Sequence, residues 1–313
     1  MPRIAIIGSG LIGRTWAMVF ARAGWDAALY DAIDGAAERA LALIGEGLDE
    51  LARHGLVADP KGSAARVRAA KSLADALDGA SYVQENVPET VEAKRAVFAE
   101  LDRRAAPDAI LASSTSAIVA SLFTQELKGR ARCLVAHPVN PPHLVPIVEL
   151  SGAPWTSAET IARAKAVYES VQQVPILVRR EVEGFILNRL QGALLAEAFR
   201  LVGEGYVSPQ DLDKTIKDGL GLRWSFMGPF ATIELNAPGG IADYCARYTG
   251  FYKHLQAKPA GIEVFEEKNI SSLLKEWGRP ADAEQLAART RWRDQRLAAL
   301  AAHKRSQPGP PDA

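Results

Sequence analysis

Through its first half the chain alternates short apolar runs of strand length with longer stretches whose apolar residues return every three or four positions. The short runs fall at 3–7, 27–30, 82–86, 110–113 and 133–136, with a later one at 176–178. Helical patterns cover 12–23, 36–53 and 91–104. Such alternation predicts a mostly parallel sheet with helices on both faces, because a parallel pair needs a crossover long enough to hold a helix. Beyond about position 180 the pattern is helical throughout. GFILNRLQGALLAEAFRLV has helical spacing, and in SPQD at 208–211 Ser208 suits an N-cap and Pro209 the first turn. The pattern divides the chain into an α/β domain over 1–180, an all-α domain over 181–304 and a flexible tail over 305–313, where SQPGPPDA offers nothing to pack.

The first strand runs straight into GSGLIG, which sets Gly8, Gly10 and Gly13 in GxGxxG spacing before a helix. Glycines there permit a tight turn and close backbone approach, and the helix N-terminus attracts a pyrophosphate. Asp31 ends the second strand close to the spacing of about 20 residues at which a carboxylate meets the adenosine ribose. Strand, turn, helix and acid together predict a Rossmann-type, doubly wound sheet holding NAD through Gly8, Gly10, Leu11, Ile12, Gly13 and Asp31. The acid disfavours NADP, since two like charges about 4 Å apart repel by about 4 kcal/mol at an effective dielectric of about 20.

CLVAHPVNPPHLVPIVEL, at 133–150, is an apolar strand, a proline-rich connection and a second apolar strand carrying a glutamate. If the chain folds back about His143, His137 falls opposite Glu149, with Cβ atoms about 4.5 to 5.5 Å apart. Beside a nicotinamide such a pair acquires a chemical role, because a base takes the hydroxyl proton while a hydride leaves carbon, and the carboxylate steadies the ring. Taken alone, His137 reads equally as a structural histidine and Glu149 as a solvated rim acid. ILASSTSAI ends a strand in clustered hydroxyls, and Asn188 sits inside an apolar helix, where an unpartnered amide costs about 1 to 3 kcal/mol.

Composition narrows the setting. A chain of 313 residues buries about 75% of its unfolded surface. With 37 basic and 37 acidic residues, no whole-chain field favours nucleic acid or an anionic membrane. No apolar run approaches a membrane span, and MPRIAIIGSG enters a strand without a secretory signal. The two cysteines, Cys133 and Cys245, lack metal-ligand spacing and suit a reducing compartment, so no metal and a cytoplasmic location are expected.

GSGLIG with Asp31, VPETVEAK, SSTS, AHPVNPP leading to VEL, and GFILNRLQ follow one another as in the 3-hydroxyacyl-CoA dehydrogenase superfamily, which the chain resembles. GLGLRWSFMGP, ELNAPGG and LAARTRWRDQRL extend the resemblance to its λ-crystallin branch, the L-gulonate 3-dehydrogenases, across essentially the whole chain. The resemblance implies that Ser116 and Asn188 bond the substrate oxygen, that His137 is the base and that Glu149 is its partner. It also implies Glu89, Lys94 and Asn140 at the cofactor, and a homodimer. Read without it, Glu89 is a first-turn acid, Lys94 a surface lysine and Asn140 a turn residue. Acyl-CoA members carry a phenylalanine pair where this chain has Pro138 and Val139, which turns the expectation from fatty acyl-CoA toward a small hydroxy acid such as L-gulonate, carnitine or 3-hydroxybutyrate. Basic residues over 61–71 are the counter-indication, as candidates for a CoA phosphate. Arg223 is the candidate clamp for a substrate carboxylate, or else a surface arginine packed on Trp224. A non-catalytic, crystallin-like NAD binder is the alternative from another class, and intact His137 and Glu149 oppose it.

Overall fold

The computed structural model describes residues 1–278 and 281–309. One sheet contains β1 (Arg3–Ile7), β2 (Asp26–Tyr30), β3 (Val67–Ala69), β4 (Tyr82–Glu85), β5 (Ile110–Ser113), β6 (Cys133–Pro138), β7 (Ile147–Gly152) and β8 (Val174–Val178). Their order across the sheet is β3-β2-β1-β4-β5-β6-β7-β8. Every neighbouring pair is parallel except β6 with β7. The chain leaves β1 toward β2 on one side and returns to β4 on the other. This reversal opens a crevice at the carboxyl ends of β1 and β4, the usual ligand position in such sheets.

Alternating strand residues serve the two faces. Ile4 and Ile6 join the cluster containing Trp16, Phe20 and Leu48, whereas Ala5 and Ile7 join that of Phe98 and Phe123. The first cluster packs under α1 (Leu11–Arg22) and α2 (Ala36–Arg53). Both α2 and the helix Val91–Arg104 occupy the bounds that periodicity predicts. β3 gave no sequence signal, because three residues with an exposed arginine carry no periodicity. β6 continues beyond Ala136, since β7 pairs with both His137 and Pro138.

Two compact units emerge, one of 1–188 with 290–313 and one of 189–289. By compactness the division falls after Asn188, where the pattern placed it at 180, and residues from Thr290 join the first unit where the pattern ran one helical domain through 304. The cause is the helix Ala283–Ser306: Ala298 is buried in the cluster of Leu48 and Leu51, with Leu297, Ala301 and Ala302 packed beside it. That helix also carries Arg305 and Ser306, two of the residues expected in the tail, while 310–313 lie outside the described residues. Among the described residues no helix is long and apolar enough to cross a membrane. The second unit contains the helices Leu187–Gly203 (from 189), Gly240–Leu255 and Glu267–Trp277.

His143, in the β6–β7 connection, accepts Arg22 at its carbonyl oxygen (2.9 Å). Burial, with Arg22, Arg293 and Arg14 nearby, pushes its imidazole down to about 3. As pH falls below the unfolded value of about 6.5, the unfolded chain takes up a proton that the folded chain refuses until about 3. Stability should therefore decline through this window, by up to about 1.4 kcal/mol per pH unit. Urea midpoints at pH 7 and pH 5 should converge in His143→Gln relative to the native chain, and an unchanged difference would remove His143 as the cause.

Candidate active site

The cofactor end is built from backbone. Gly8 has φ +95°, and a Cβ there would lie 2.6 Å from the Asn86 carbonyl oxygen. A Cβ at Gly13 would come within 1.8 Å of the Gly8 carbonyl oxygen, so this glycine lets α1 pack onto β1. Gly10, the N-cap of α1, is different: a Cβ there would meet nothing within 4 Å. The fold itself makes no demand for glycine at that position. The free space above an exposed helix N-terminus suits a pyrophosphate, so the residues fit the dinucleotide. Leu11 is exposed there and Ile12 packs against the core.

Asp31 ends up beside the loop, as its spacing implied, but it also organises that loop. Its Oδ2 accepts both the Ser9 amide and the Ser9 hydroxyl at 2.7 Å, and Oδ1 accepts the Ile33 amide at 3.0 Å. Burial pulls its carboxyl upward, yet the Ser9 and Ile33 donors outweigh that and hold it below the usual carboxylate value. The carboxylate is thus kept charged beside the glycine loop. Ser9 went unnoticed in the sequence; its signal was the hydroxyl between two glycines of the loop. Below the cofactor loop, Trp16 and Gln84 donate to the Ser114 hydroxyl (3.0 and 2.7 Å), which donates to Asn86 Oδ1 at 2.8 Å.

At the other end, β6 and β7 place His137 opposite Glu149 in register. His137 Nδ1 lies 2.7 Å from Glu149 Oε2, with the imidazole 5% exposed and the carboxylate fully buried. An ionised carboxylate only accepts, so Nδ1 is the donor, and the neutral imidazole then presents its lone pair at Nε2. Glu149 Oε1 accepts the amides of Ile186 (2.9 Å) and Leu187 (3.0 Å) at the start of the helix Leu187–Gly203. The next residue, Asn188, donates from Nδ2 to the Ser116 carbonyl oxygen at 2.8 Å. Phe185, at φ 49° and fully buried, sets its ring 5.3 Å from the imidazole. One chain of contacts therefore unites His137, Glu149, Asn188 and Ser116.

Glu89 is engaged on the Ser116 side. Its Oε1 accepts the Thr115 hydroxyl, the Ser116 amide (2.8 Å) and hydroxyl (3.3 Å), and the Ala117 amide (3.2 Å). Oε2 faces Lys94 at 3.4 Å. Lys94 is not a surface lysine: its side chain is 1% exposed and also meets Glu85 at 3.2 Å. Asn140 is exposed, on the N-terminal side of a cis bond to Pro141. Arg223 is exposed in the second unit and has no carboxylate within 4 Å among the described residues.

A doubly wound sheet with a dinucleotide loop at its switch point defines the class as an NAD-dependent oxidoreductase. The chain belongs to the 3-hydroxyacyl-CoA dehydrogenase family: the model of that family's NAD binding domain matches residues 3–182 and that of its C-terminal domain matches 184–273. It is 41% identical over 302 residues to a lambda-crystallin homolog of Rattus norvegicus, covering 95% of this chain and 94% of the relative. With an L-carnitine dehydrogenase of Pseudomonas aeruginosa it shares 34% identity over 301 residues, 95% of this chain and 92% of that one. Among solved structures it resembles 5-formyl-3-hydroxy-2-methylpyridine 4-carboxylic acid 5-dehydrogenase, an NAD+ dependent dismutase, with TM-score 0.80 and 28% identity over 98% of this chain and 100% of the other.

Replacing Asp31 by alanine should weaken NAD and relax discrimination against NADP, as measured by the ratio of the two cofactors' dissociation constants. An unchanged ratio would remove Asp31 from the ribose position.

Proposed function

We propose that this chain oxidises the 3-hydroxyl of a small, L-gulonate-like hydroxy acid to the 3-oxo acid. The observation that carries the reading is the 2.7 Å contact between His137 Nδ1 and Glu149 Oε2, which leaves Nε2 as a fixed proton acceptor. NAD, when bound, supplies the acceptor for the hydride that leaves the carbinol carbon. His137 Nε2 takes the hydroxyl proton, and Glu149 stabilises the resulting imidazolium. Ser116 and Asn188 bond the substrate oxygen and hold it toward His137. In the reverse direction the same groups return the proton to the carbonyl. A binder without catalysis would have no use for a desolvated, oriented pair of this kind.

Three observations favour a free acid. Pro138 and Val139 stand where acyl-CoA members carry phenylalanines. In the basic stretch, Arg66 pairs with Asp26 at 3.3 Å and Arg68 with Asp75 at 3.0 Å, which removes two of the cations available to a CoA phosphate. The relatives aligned over nearly the whole chain include a carnitine dehydrogenase, whose named substrate is a free hydroxy acid. Arg223, exposed and without a carboxylate within 4 Å among the described residues, is the residue we assign to the substrate carboxylate. The family description favours a second reading, oxidation of an L-3-hydroxyacyl-CoA. NADH formation from L-gulonate, L-carnitine, 3-hydroxybutyrate and 3-hydroxybutyryl-CoA separates them: turnover confined to the thioester overturns the free-acid reading. In His137→Ala, kcat should fall by about 100-fold or more with NAD affinity nearly unchanged. Native turnover in that variant would dismiss His137 as the base.

The active species we infer is a homodimer, placed in the cytoplasm in keeping with two free thiols. The helix Gly240–Leu255 buries no residue and exposes Ile241, Tyr248, Phe251, Tyr252 and Leu255, large apolar side chains of the kind that mark an association surface when they cluster. A second copy of the same neutral chain is the partner that meets this face without charge repulsion. Light scattering should give twice the chain mass, and Phe251→Glu should shift it toward the monomer. A native chain that is monomeric at micromolar concentration would refute the assignment.

A further inference from the structure

We propose that Glu85 is a positioning residue of this site: through Lys94 it fixes Glu89, and Glu89 fixes the Ser116 segment. The inference rests on the reading of Ser116 as a substrate-bonding residue. Glu85 is the last residue of β4 and is fully buried. Each of its oxygens lies 3.2 Å from the Lys94 ammonium, Ser113 donates its hydroxyl to Oε2, and Val87 donates its amide to Oε1. Lys94, at 1% exposure, offers no surface to a ligand, so any influence it has on the bound cofactor or substrate passes through the carboxylates it touches.

Those two carboxylates differ. Burial drives the Glu85 carboxyl upward against the pull of Lys94 and Ser113. For Glu89 the upward push of burial is outweighed by Thr115, Lys94 and the amides of Ser116 and Ala117, which hold it below the usual value. Glu89 is also 41% exposed at its side chain, whereas Glu85 is fully buried. One buried ammonium thus lies between a buried carboxyl held by Ser113 and Val87 and an exposed carboxylate that grips residues 115–117. Without the charge on Glu85, Lys94 is drawn to Glu89 alone, and the carboxylate that aligns Ser116 loses its fixed reference. Misplacement of a reacting group by about 1 Å costs about 100-fold in rate.

The test uses the full chain and two variants, Glu85→Gln and the neutral pair Glu85→Gln with Lys94→Met. The double variant leaves no unpaired buried charge, so it retains its fold even where the single one does not. Amide exchange at Ser116 and Ala117 should accelerate at least about tenfold in the double variant, and kcat should fall by about tenfold to 100-fold. Native values in either readout overturn the proposal: unchanged exchange breaks the route through Glu89, and unchanged kcat denies that this alignment matters. The exchange readout needs no turnover. If the native chain oxidises no hydroxy acid, the proposed activity has failed, and exchange at Ser116 still decides whether Glu85 fixes the segment.

Discussion

Glu149 is the residue on which the geometry around His137 depends. One buried carboxylate orients the imidazole of His137 through Oε2 and receives the first amides of the Leu187–Gly203 helix through Oε1. Helix starts leave amide donors unpaired, and a buried carboxylate needs donors, so each satisfies the other. The consequence is geometric: the helix begins where Asn188 reaches Ser116, and the imidazole is fixed in the tautomer that presents Nε2. The imidazole of His137 and the helix start that carries Asn188 are therefore positioned by a single side chain.

The cofactor end follows a different principle. There the fold uses absent side chains: Gly8 for a backbone turn, Gly13 for close helix packing and Gly10 for open space at a helix N-terminus. Asp31 then ties the second strand to the loop through Ser9. Glu89 lies between the two ends, since its carboxylate gathers the Thr115 hydroxyl and the Ser116 and Ala117 amides while remaining partly open to solvent. A residue expected to bind cofactor is thereby also a scaffold for the substrate side.

Much of this was legible in the sequence. Periodicity alone gave the bounds of α2 and of the Val91–Arg104 helix, because a long amphipathic face overrides local ambiguity. The opposition of His137 and Glu149 was readable because an antiparallel connection fixes register by counting from its centre, and the structure pairs them in that register. The β3 strand was invisible because its place comes from pairing with β2 at the sheet edge, not from its own pattern.

Sequence by itself determined the doubly wound sheet, the glycine loop with its acid and the facing His–Glu pair, since each is set by spacing along the chain. Only tertiary structure decided that the last helix returns to the first unit, that Lys94 is buried between two carboxylates and that Glu149 also caps a helix 37 residues away. These contacts join segments distant in sequence. Their energies depend on burial and on which donors are left unpaired, quantities that exist only once the chain has folded.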